Sequence, residues 1–266
     1  MTRGSREHIL DWTSRPEFPV EFIELIGLSD CRPSRPMVWQ PKGHIEPEEA
    51  CLGDCGDRFI PGTKCWNDLA AWWLVHRGGA NKPNWDLVVA CDIAGKPGLA
   101  LVEAKAHERE LDWGGKRVHL DGSARSVENH ERIGKAITEA SIALGKIAPG
   151  VSISRDSHYQ LANRLAYSWK IASLGIPVIL VYLGFTGDEG IEDVGTPLRD
   201  HAHWEAVMRT YTVGILPEGF VERSLHCGKS YMRMLVRSKP VLMQSEPRRP
   251  DNKRFHRIVA KGGHSR

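Results

Sequence analysis

The chain has 266 residues and a formal net charge of +3, with 41% hydrophobic and 26% charged residues. This ordinary globular composition suits one large domain or two small ones, and a core can form without disulfide or metal staples. The mildly basic balance points to nucleic acid only weakly and excludes no class of partner.

Two absences bear on the location of the chain. Residues 1–12 lack the apolar segment of a secretory signal. The longest purely apolar run, residues 176–183, is too short to span a bilayer. We therefore expect a cytoplasmic protein without membrane contacts, in which the six cysteines are mostly reduced.

The first quarter of the chain is predicted to be helical at both ends and irregular between. Apolar residues at helical spacing predict short helices at 6–12 and 20–28 and another at 65–77, which a pair of glycines ends. Residues 31–64 are rich in Pro, Gly and Cys and show no clear periodicity, so we predict an irregular connection there.

Residues 84–107 predict a β-hairpin. Apolar runs at 87–90 and 99–102 flank the turn-forming residues 95–98. Nearly continuous apolar runs are typical of strands that are covered on both faces, as in α/β proteins.

The rest of the chain predicts a crossover connection. The predicted elements are a polar loop (108–129), two helices (131–146 and 159–174), a strand (177–183), a helix (202–209) and a last strand (231–236). Ser157 is the expected N-cap of the second helix. A helix, a glycine turn and an apolar strand are typical of the return half of a crossover onto a parallel strand.

Positive charge is concentrated at the C-terminus. Residues 244–266 contain seven Lys or Arg and two Asp or Glu, so the remainder of the chain is net negative. This composition predicts a disordered tail. The tail is either a solvated segment that aids solubility, which is the favoured interpretation, or a basic arm that binds phosphate.

Charged side chains interrupt the apolar hairpin at its open end. Asp86 opens the first strand, and Glu103 and Lys105 close the second. Side chains alternate between faces along a strand, so Glu103 and Lys105 share a face. A turn centred at 96–97 places Asp86 opposite His107 and on that same face.

Two acids and an amine in an apolar hairpin predict a metal centre. Unpaired charges cost several kcal/mol in such surroundings, and a divalent cation removes the repulsion between the carboxylates. Mg²⁺, with Mn²⁺ as an alternative, prefers oxygen ligands, and a metal-bound water can attack a phosphodiester. Lys105 would offset the negative charge that develops in the transition state.

The same residues allow other interpretations. A surface ion pair on an edge hairpin would need no metal. Asp92 has the same parity as Asp86 but lies close to the turn, far from Glu103, and is disfavoured. A second acid-x-Lys copy, Asp251 with Lys253, lies in the polar tail with no strand around it and is rejected.

With Asp86, Glu103 and Lys105 in this order, the chain resembles the PD-(D/E)xK nuclease superfamily. The resemblance implies an α/β, restriction-endonuclease-like core with a mixed sheet flanked by helices. It also implies that the backbone carbonyl of Ala104 binds the metal and that the preceding helix supplies an earlier acid, for which Asp68 is the candidate. In some exonuclease branches the helix after the lysine offers a Gln toward DNA, which points to Gln160.

The resemblance divides the chain into four parts. They are an N-terminal extension (1–64), a nuclease core (65–185) with one insertion at about 108–157, a C-terminal extension (186–243) and the basic tail (244–266). The chain departs from the family pattern in that insertion, in the Asn84-Trp85 pair that stands where Pro often precedes the Asp, and in a missing or very short strand before Asp86.

Contacts to nucleic acid are predicted beside the hairpin. The polar loop that follows it carries Lys116, Arg117 and Arg125, which are candidates for phosphate contacts. Trp85 and Trp113 flank the site, and packing is favoured over stacking on a base for both.

The cysteines allow a zinc site in principle. Cys51, Cys55 and Cys65, together with His44 or Cys31, could bind the ion, but their spacing lacks the paired knuckles of strong zinc motifs. Ordinary reduced cysteines are the favoured interpretation.

The leading hypothesis is a Mg²⁺-dependent nuclease that hydrolyses DNA, with RNA and a homodimeric state left open. The alternative is a catalytically silent nuclease-fold protein that binds nucleic acid or a protein partner. A third hypothesis is a structural or defence-system subunit whose basic tail does the binding.

Overall fold

A computed structural model describes residues 3–77, 82–117 and 123–241. The helices are α1 (Ser5–Thr13), α2 (Phe18–Ile26), α3 (Leu52–Phe59), α4 (Cys65–Trp73), α5 (Ala124–Ile147), α6 (Tyr159–Ser173) and α7 (His201–Thr212). The strands are β1 (Cys31–Pro33), β2 (Trp39–Gln40), β3 (Leu87–Ile93), β4 (Lys96–Lys105), β5 (Val178–Thr186), β6 (Ser224–Cys227) and β7 (Ser230–Pro240). In the described ranges no helix has both the length and the apolar character needed to cross a membrane.

The strands form one mixed, open sheet in the order β1-β3-β4-β5-β7-β6, with β2 also paired to β3. Strands β4, β5 and β7 run parallel, and the other pairs are antiparallel. Helices α3 to α7 pack on one face and α1 and α2 on the other. The chain is therefore an α/β protein whose mixed sheet is flanked by helices.

The central strands are apolar because both of their faces are covered. Along β3, Val88 packs toward α3 to α7, while Leu87 and Val89 pack toward α1 and α2. All nine residues of β5 are buried. This pattern is typical of strands sandwiched between two helix layers.

The predicted hairpin is confirmed, but its turn lies two residues earlier than predicted. Ile93 pairs with Lys96, so Ala94 and Gly95 form the turn. Both have positive φ, 50° and 76°, as a type I′ hairpin turn requires. The carboxylate of Asp92 accepts a hydrogen bond of 2.9 Å from the Gly95 amide, which stabilises the turn.

The predicted crossover is also confirmed, since β5 runs parallel to β4 after α5 and α6. The predicted polar loop at 108–129 was wrong in part, because α5 already begins at Ala124, where the Ser123 hydroxyl accepts from the Ser126 amide. Ser157 is not the N-cap of α6. His158 occupies that position with φ of 47° and no side-chain cap.

The prediction of an irregular connection at 31–64 was wrong in part. This segment contains α3 and two short strands that pair with β3. The edge of β3 is therefore covered by strands from earlier in the chain, and the described residues just before Asp86, 82–85, form no strand of their own. At the next helix, α4 ends at Trp73 because Leu74 is already extended.

Candidate active site

Three charged side chains meet where β4 ends. Leu87 is the first residue of β3 that pairs with β4, opposite Val102, so the predicted pairing of Asp86 with His107 is wrong. Glu103 and Lys105 share a face of β4, but Asp86 lies in a bend beyond the paired part of β3 and lines a small cavity with Ile9 and Leu10 of α1. The Ala104 amide donates a 2.7 Å hydrogen bond to Asp86 Oδ2, and Lys105 Nζ donates a 2.5 Å hydrogen bond to Glu103 Oε1.

The position of this cluster in the sheet is typical of α/β binding sites. Glu103 and Lys105 pair with Tyr182 and Gly184 of the parallel strand β5. The cluster thus lies at the carboxyl ends of two parallel strands, which is where ligands bind in open α/β sheets. The side chain of Glu103 faces α6, whose Arg164 contacts it.

A fourth charged residue, Arg164 of α6, completes the cluster and was missed in the sequence. Its Nε donates a 2.6 Å hydrogen bond to Glu103 Oε2, and its Nη2 donates one of 2.7 Å to the backbone oxygen of Asn84. The guanidinium lies over the ring of Trp85, 4.6 Å from its centroid. Residues 161–169 of α6 are all buried, so a charge there needs a partner.

The two acids have different electrostatic surroundings. Burial, together with the charge of Glu103, raises the pKa of Asp86 to about 7. Burial alone would raise the pKa of Glu103 as well, but the charges of Arg164 and Lys105 outweigh it and lower that pKa. Glu103 is therefore held as a carboxylate, whereas Asp86 keeps its proton to a higher pH than an ordinary Asp does.

Lys105 is held as an ammonium ion. Burial alone would lower its pKa, but the carboxylates of Glu103 and Asp86 outweigh burial and raise it. Lys105 can therefore stabilise negative charge and orient a neighbouring group through hydrogen bonds, but it is poorly suited to act as a base near neutral pH.

The donor set fits a divalent cation with few protein ligands. In the described structure, Asp86 Oδ1 accepts no hydrogen bond, whereas both Glu103 oxygens are bound by cationic side chains. No group of three or more His, Cys, Asp or Glu side chains in the described ranges could hold a metal. An ion would thus depend on two carboxylates, the Ala104 carbonyl and water, an all-oxygen set that suits Mg²⁺.

The other predicted site residues divide into two groups. Gln160 lies one helical turn before Arg164 and so shares its side of α6, and Gln160 Oε1 is buried with no hydrogen-bond partner in the described structure. Asp68 is exposed on α4 and makes no described hydrogen bond or ion pair with the cluster. The structure therefore brings Gln160 to the side of the site and leaves Asp68 unconnected to it.

The predicted phosphate-contacting residues are positioned differently from one another. Lys116 is half-buried, with its Nζ 5.0 Å from the centroid of the Tyr159 ring, and burial lowers its pKa. Arg117 and Arg125 are exposed at the two ends of a stretch, 118–122, that lies outside the described residues. The basic tail predicted at 244–266 also lies outside them.

The tryptophans and cysteines bear on two further expectations. Trp85 is fully buried under Arg164, which leaves no free face for a base, whereas Trp113 is 53% exposed. Cys51, Cys55 and Cys65 are free thiols, and they form no metal-binding cluster within the described part of the chain.

No family model, curated protein or solved structure matches the chain. The resemblance to the PD-(D/E)xK superfamily therefore depends on the residues and geometry of this cluster alone.

Proposed function

We propose that the protein is a Mg²⁺-dependent nuclease that hydrolyses phosphodiester bonds in DNA or RNA. The observation that carries the proposal is the proximity of Asp86, Glu103 and Lys105 at the carboxyl end of β4, where Lys105 binds Glu103 and the Ala104 amide between them binds Asp86. A carboxyl group that titrates near pH 7, an ionised carboxylate and a fixed ammonium within one buried cluster are more than a stable fold requires.

Each residue has a distinct role in this proposal. Asp86, Glu103 and the Ala104 carbonyl would hold the ion, which when bound supplies a water of lowered pKa near the scissile phosphate. Lys105 places a positive charge where the attacked phosphate becomes more negative. Arg164 is a positioning residue, because it fixes one oxygen of Glu103 and also the Asn84 backbone that precedes Asp86.

The catalytically silent alternative is favoured by one specific observation. Lys105 and Arg164 balance the formal charges of Asp86 and Glu103, so the cluster is neutral without a metal. Buried ion networks of this kind occur as purely structural features. In that case the protein would bind nucleic acid or a partner without cleaving a phosphodiester.

A cleavage assay distinguishes the two functions. Supercoiled plasmid, single-stranded DNA and RNA are incubated with the protein in Mg²⁺, in Mn²⁺ and in EDTA. We expect metal-dependent cleavage that Lys105→Ala reduces by about 10²- to 10³-fold, the usual cost of losing a group that stabilises transition-state charge. The matched control is Lys96→Ala, which removes an exposed lysine from the same strand and should not change the rate.

Three outcomes would redirect the proposal. Cleavage that Lys105→Ala leaves unchanged would remove the nuclease centre from this cluster. Binding without cleavage by the wild-type protein would favour the silent alternative. Loss of binding on deletion of residues 244–266 alone would favour the hypothesis in which the basic tail binds the partner.

A further inference from the structure

Three aromatic rings are grouped at the N-terminal end of α6. The His158 ring centroid lies 5.0 Å from those of Trp113 and Tyr211, and the Trp113 and Tyr211 centroids are 5.2 Å apart. Two of the rings are largely covered, but Trp113 is 53% exposed. Trp113 therefore exposes one large aromatic surface to solvent and packs against the rings of His158 and Tyr211.

The surroundings hold this aromatic surface in place. The His158 amide donates a 3.2 Å hydrogen bond to the Trp113 oxygen, and the Tyr159 amide donates one of 2.9 Å to Gly114. The Tyr211 hydroxyl donates a 2.8 Å hydrogen bond to the backbone oxygen of Asp112. The loop that carries the indole is thus tied to both α6 and α7, and little flexibility would be lost on binding a ligand.

The backbone of His158 adds an observation that packing alone does not require. Its φ of 47° is a left-handed conformation that costs free energy in a residue other than glycine. Such strain persists only where the surrounding structure enforces it, and it occurs preferentially at functional sites. Here it aligns the imidazole behind the exposed indole.

The aromatic group lies beside the active site. The pKa of Tyr211 is raised mainly by burial, and then by the charges of Asp112 and Glu103. Helix α6 also connects the two sites, because His158 precedes the helix and Arg164 lies six residues later. At about 1.5 Å per residue this is roughly 9 Å along the helix axis.

Polar atoms between the two sites have unused hydrogen-bonding capacity. Gln160 Oε1 and both ring nitrogens of His158 are buried without a hydrogen-bond partner in the described structure. Lys116, which lies over the Tyr159 ring, supplies a positive charge near the start of α6. Together these groups match an aromatic, hydrogen-bonding and negatively charged ligand.

We propose that Trp113, supported by His158 and Tyr211, stacks on an unpaired base of a nucleic-acid strand that passes the active site. The inference rests on the proposed function for its substrate class. Bases within a duplex are already stacked on both faces, whereas unpaired bases expose a face to an aromatic side chain. The protein should therefore prefer single-stranded over double-stranded substrate.

Binding measured without cleavage tests this proposal. Fluorescence anisotropy is recorded for a labelled 15-nucleotide single strand of DNA and for the corresponding duplex, in EDTA and again in Ca²⁺. We expect the wild-type protein to bind the single strand more tightly, and Trp113→Ala to weaken that binding about tenfold, within the range measured for base stacking on aromatic side chains. Binding to the duplex should change less than about twofold.

Two further variants control for folding and for exposed apolar surface. Trp113→Phe keeps an aromatic face and should retain most of the affinity for the single strand. Ile45→Ala removes another exposed apolar side chain, 93% exposed and on a different loop, and should have no effect.

Failure of this inference is distinct from failure of the proposed function. The stacking proposal is overturned if the wild-type protein does not bind the single strand, if Trp113→Ala binds it within twofold of wild type, or if the variant weakens duplex binding equally. The predicted loss of single-strand binding together with no cleavage in Mg²⁺ would instead contradict the nuclease proposal and support the stacking site.

Discussion

At the scale of single residues, Arg164 changes the electrostatic interpretation of the cluster. Two acids and one lysine on an apolar hairpin would leave an excess negative charge, which suggested a divalent cation as the compensating group. The guanidinium of Arg164 supplies that compensation within the chain. A metal ion must therefore share the oxygens of Glu103 with two cations, and we expect Asp86, with its free Oδ1, to determine the metal affinity.

Arg164→Met should destabilise the fold. It removes both the ion pair with Glu103 and the hydrogen bond to Asn84 from a buried site, and breaking a buried pair typically costs about 3–5 kcal/mol. Urea denaturation gives the free energy of unfolding. Lys135→Met, an exposed cation on α5, is the matched control and should change it by less than about 0.5 kcal/mol. Equal effects of the two substitutions on the free energy of unfolding would show that the buried contacts of Arg164 do not stabilise the fold.

The stability of the metal-free protein should depend on pH through Asp86. In the folded chain this carboxyl keeps its proton up to about pH 7, whereas an ordinary Asp releases it near 3.8. The folded state thus binds more protons than the unfolded state between these values, and this contribution to stability is lost as the pH rises through the window. The Asp86→Asn variant should not lose stability in this way as the pH rises, because the amide does not ionise.

Unfolding at pH 5 and at pH 8, both in EDTA, measures this effect. Relative to wild type, Asp86→Asn should be more stabilising at pH 8 than at pH 5. Mg²⁺ at pH 8 should stabilise the wild-type protein and not the variant. A difference between the two proteins that is the same at both pH values would contradict the assigned surroundings of Asp86.

At the scale of secondary-structure elements, the long apolar runs were readable from the sequence and the short or polar elements were not. The hairpin and the crossover strand were predicted because their apolar runs and turn residues are distinctive. Strands β1 and β2 have three and two residues, too few for a periodic pattern, and only their pairing with β3 defines them. The early start of α5 was hidden by its polar first turns, where buried Asn129 binds the backbone of Val75 and His76.

The candidate site was readable to a similar extent. Parity placed Glu103 and Lys105 on one face of β4, whereas the position of Asp86 depends on the bend before β3, which the hairpin pattern does not predict. A charged Arg164 within a buried helix signals a partner, but the identity of that partner depends on how α6 packs over the sheet, which local sequence does not encode. The grouping of Trp113 with His158 and Tyr211 likewise arises from three separate elements.

The contact between α7 and β5 is predicted to need a glycine beside the site. Gly184 pairs with Lys105, and a Cβ at Gly184 would lie 2.7 Å from Cγ of Trp204. Gly184→Ala should therefore lower the free energy of unfolding by about 1–3 kcal/mol, as overpacking does. Gly145→Ala is the control, because its Cβ would meet only an ordinary contact of 3.6 Å within α5, where alanine is the better helix former. A neutral Gly184→Ala would contradict this tight packing.

At the scale of the whole molecule, the two N-terminal helices form a layer of the same core as the sheet. Phe18, Phe22 and Ile26 are fully buried and cluster with the strand residues that face away from α6. The hairpin that carries the site is consequently packed from both sides. A rigid scaffold of this kind is what a precisely positioned catalytic cluster requires.

Removing one buried side chain from α2 tests whether α1 and α2 unfold together with the sheet. Phe22→Ala is expected to cost about 3–5 kcal/mol of unfolding free energy, in a single cooperative transition, because a large buried ring is removed. Val20→Ala, on the same helix but 63% exposed, should have little effect. If thermal unfolding of Phe22→Ala instead showed an early separate transition, α1 and α2 would form an independent layer.

Anomalous diffraction from crystals soaked in Mn²⁺ at pH 8 tests the central claim most directly. The account predicts a metal peak about 2.1 Å from carboxylate oxygens of Asp86 and Glu103 and from the Ala104 carbonyl, with Lys105 adjacent, and no such peak in Asp86→Asn. The absence of a peak in the wild-type crystals, with Glu103 held between Lys105 and Arg164, would contradict it.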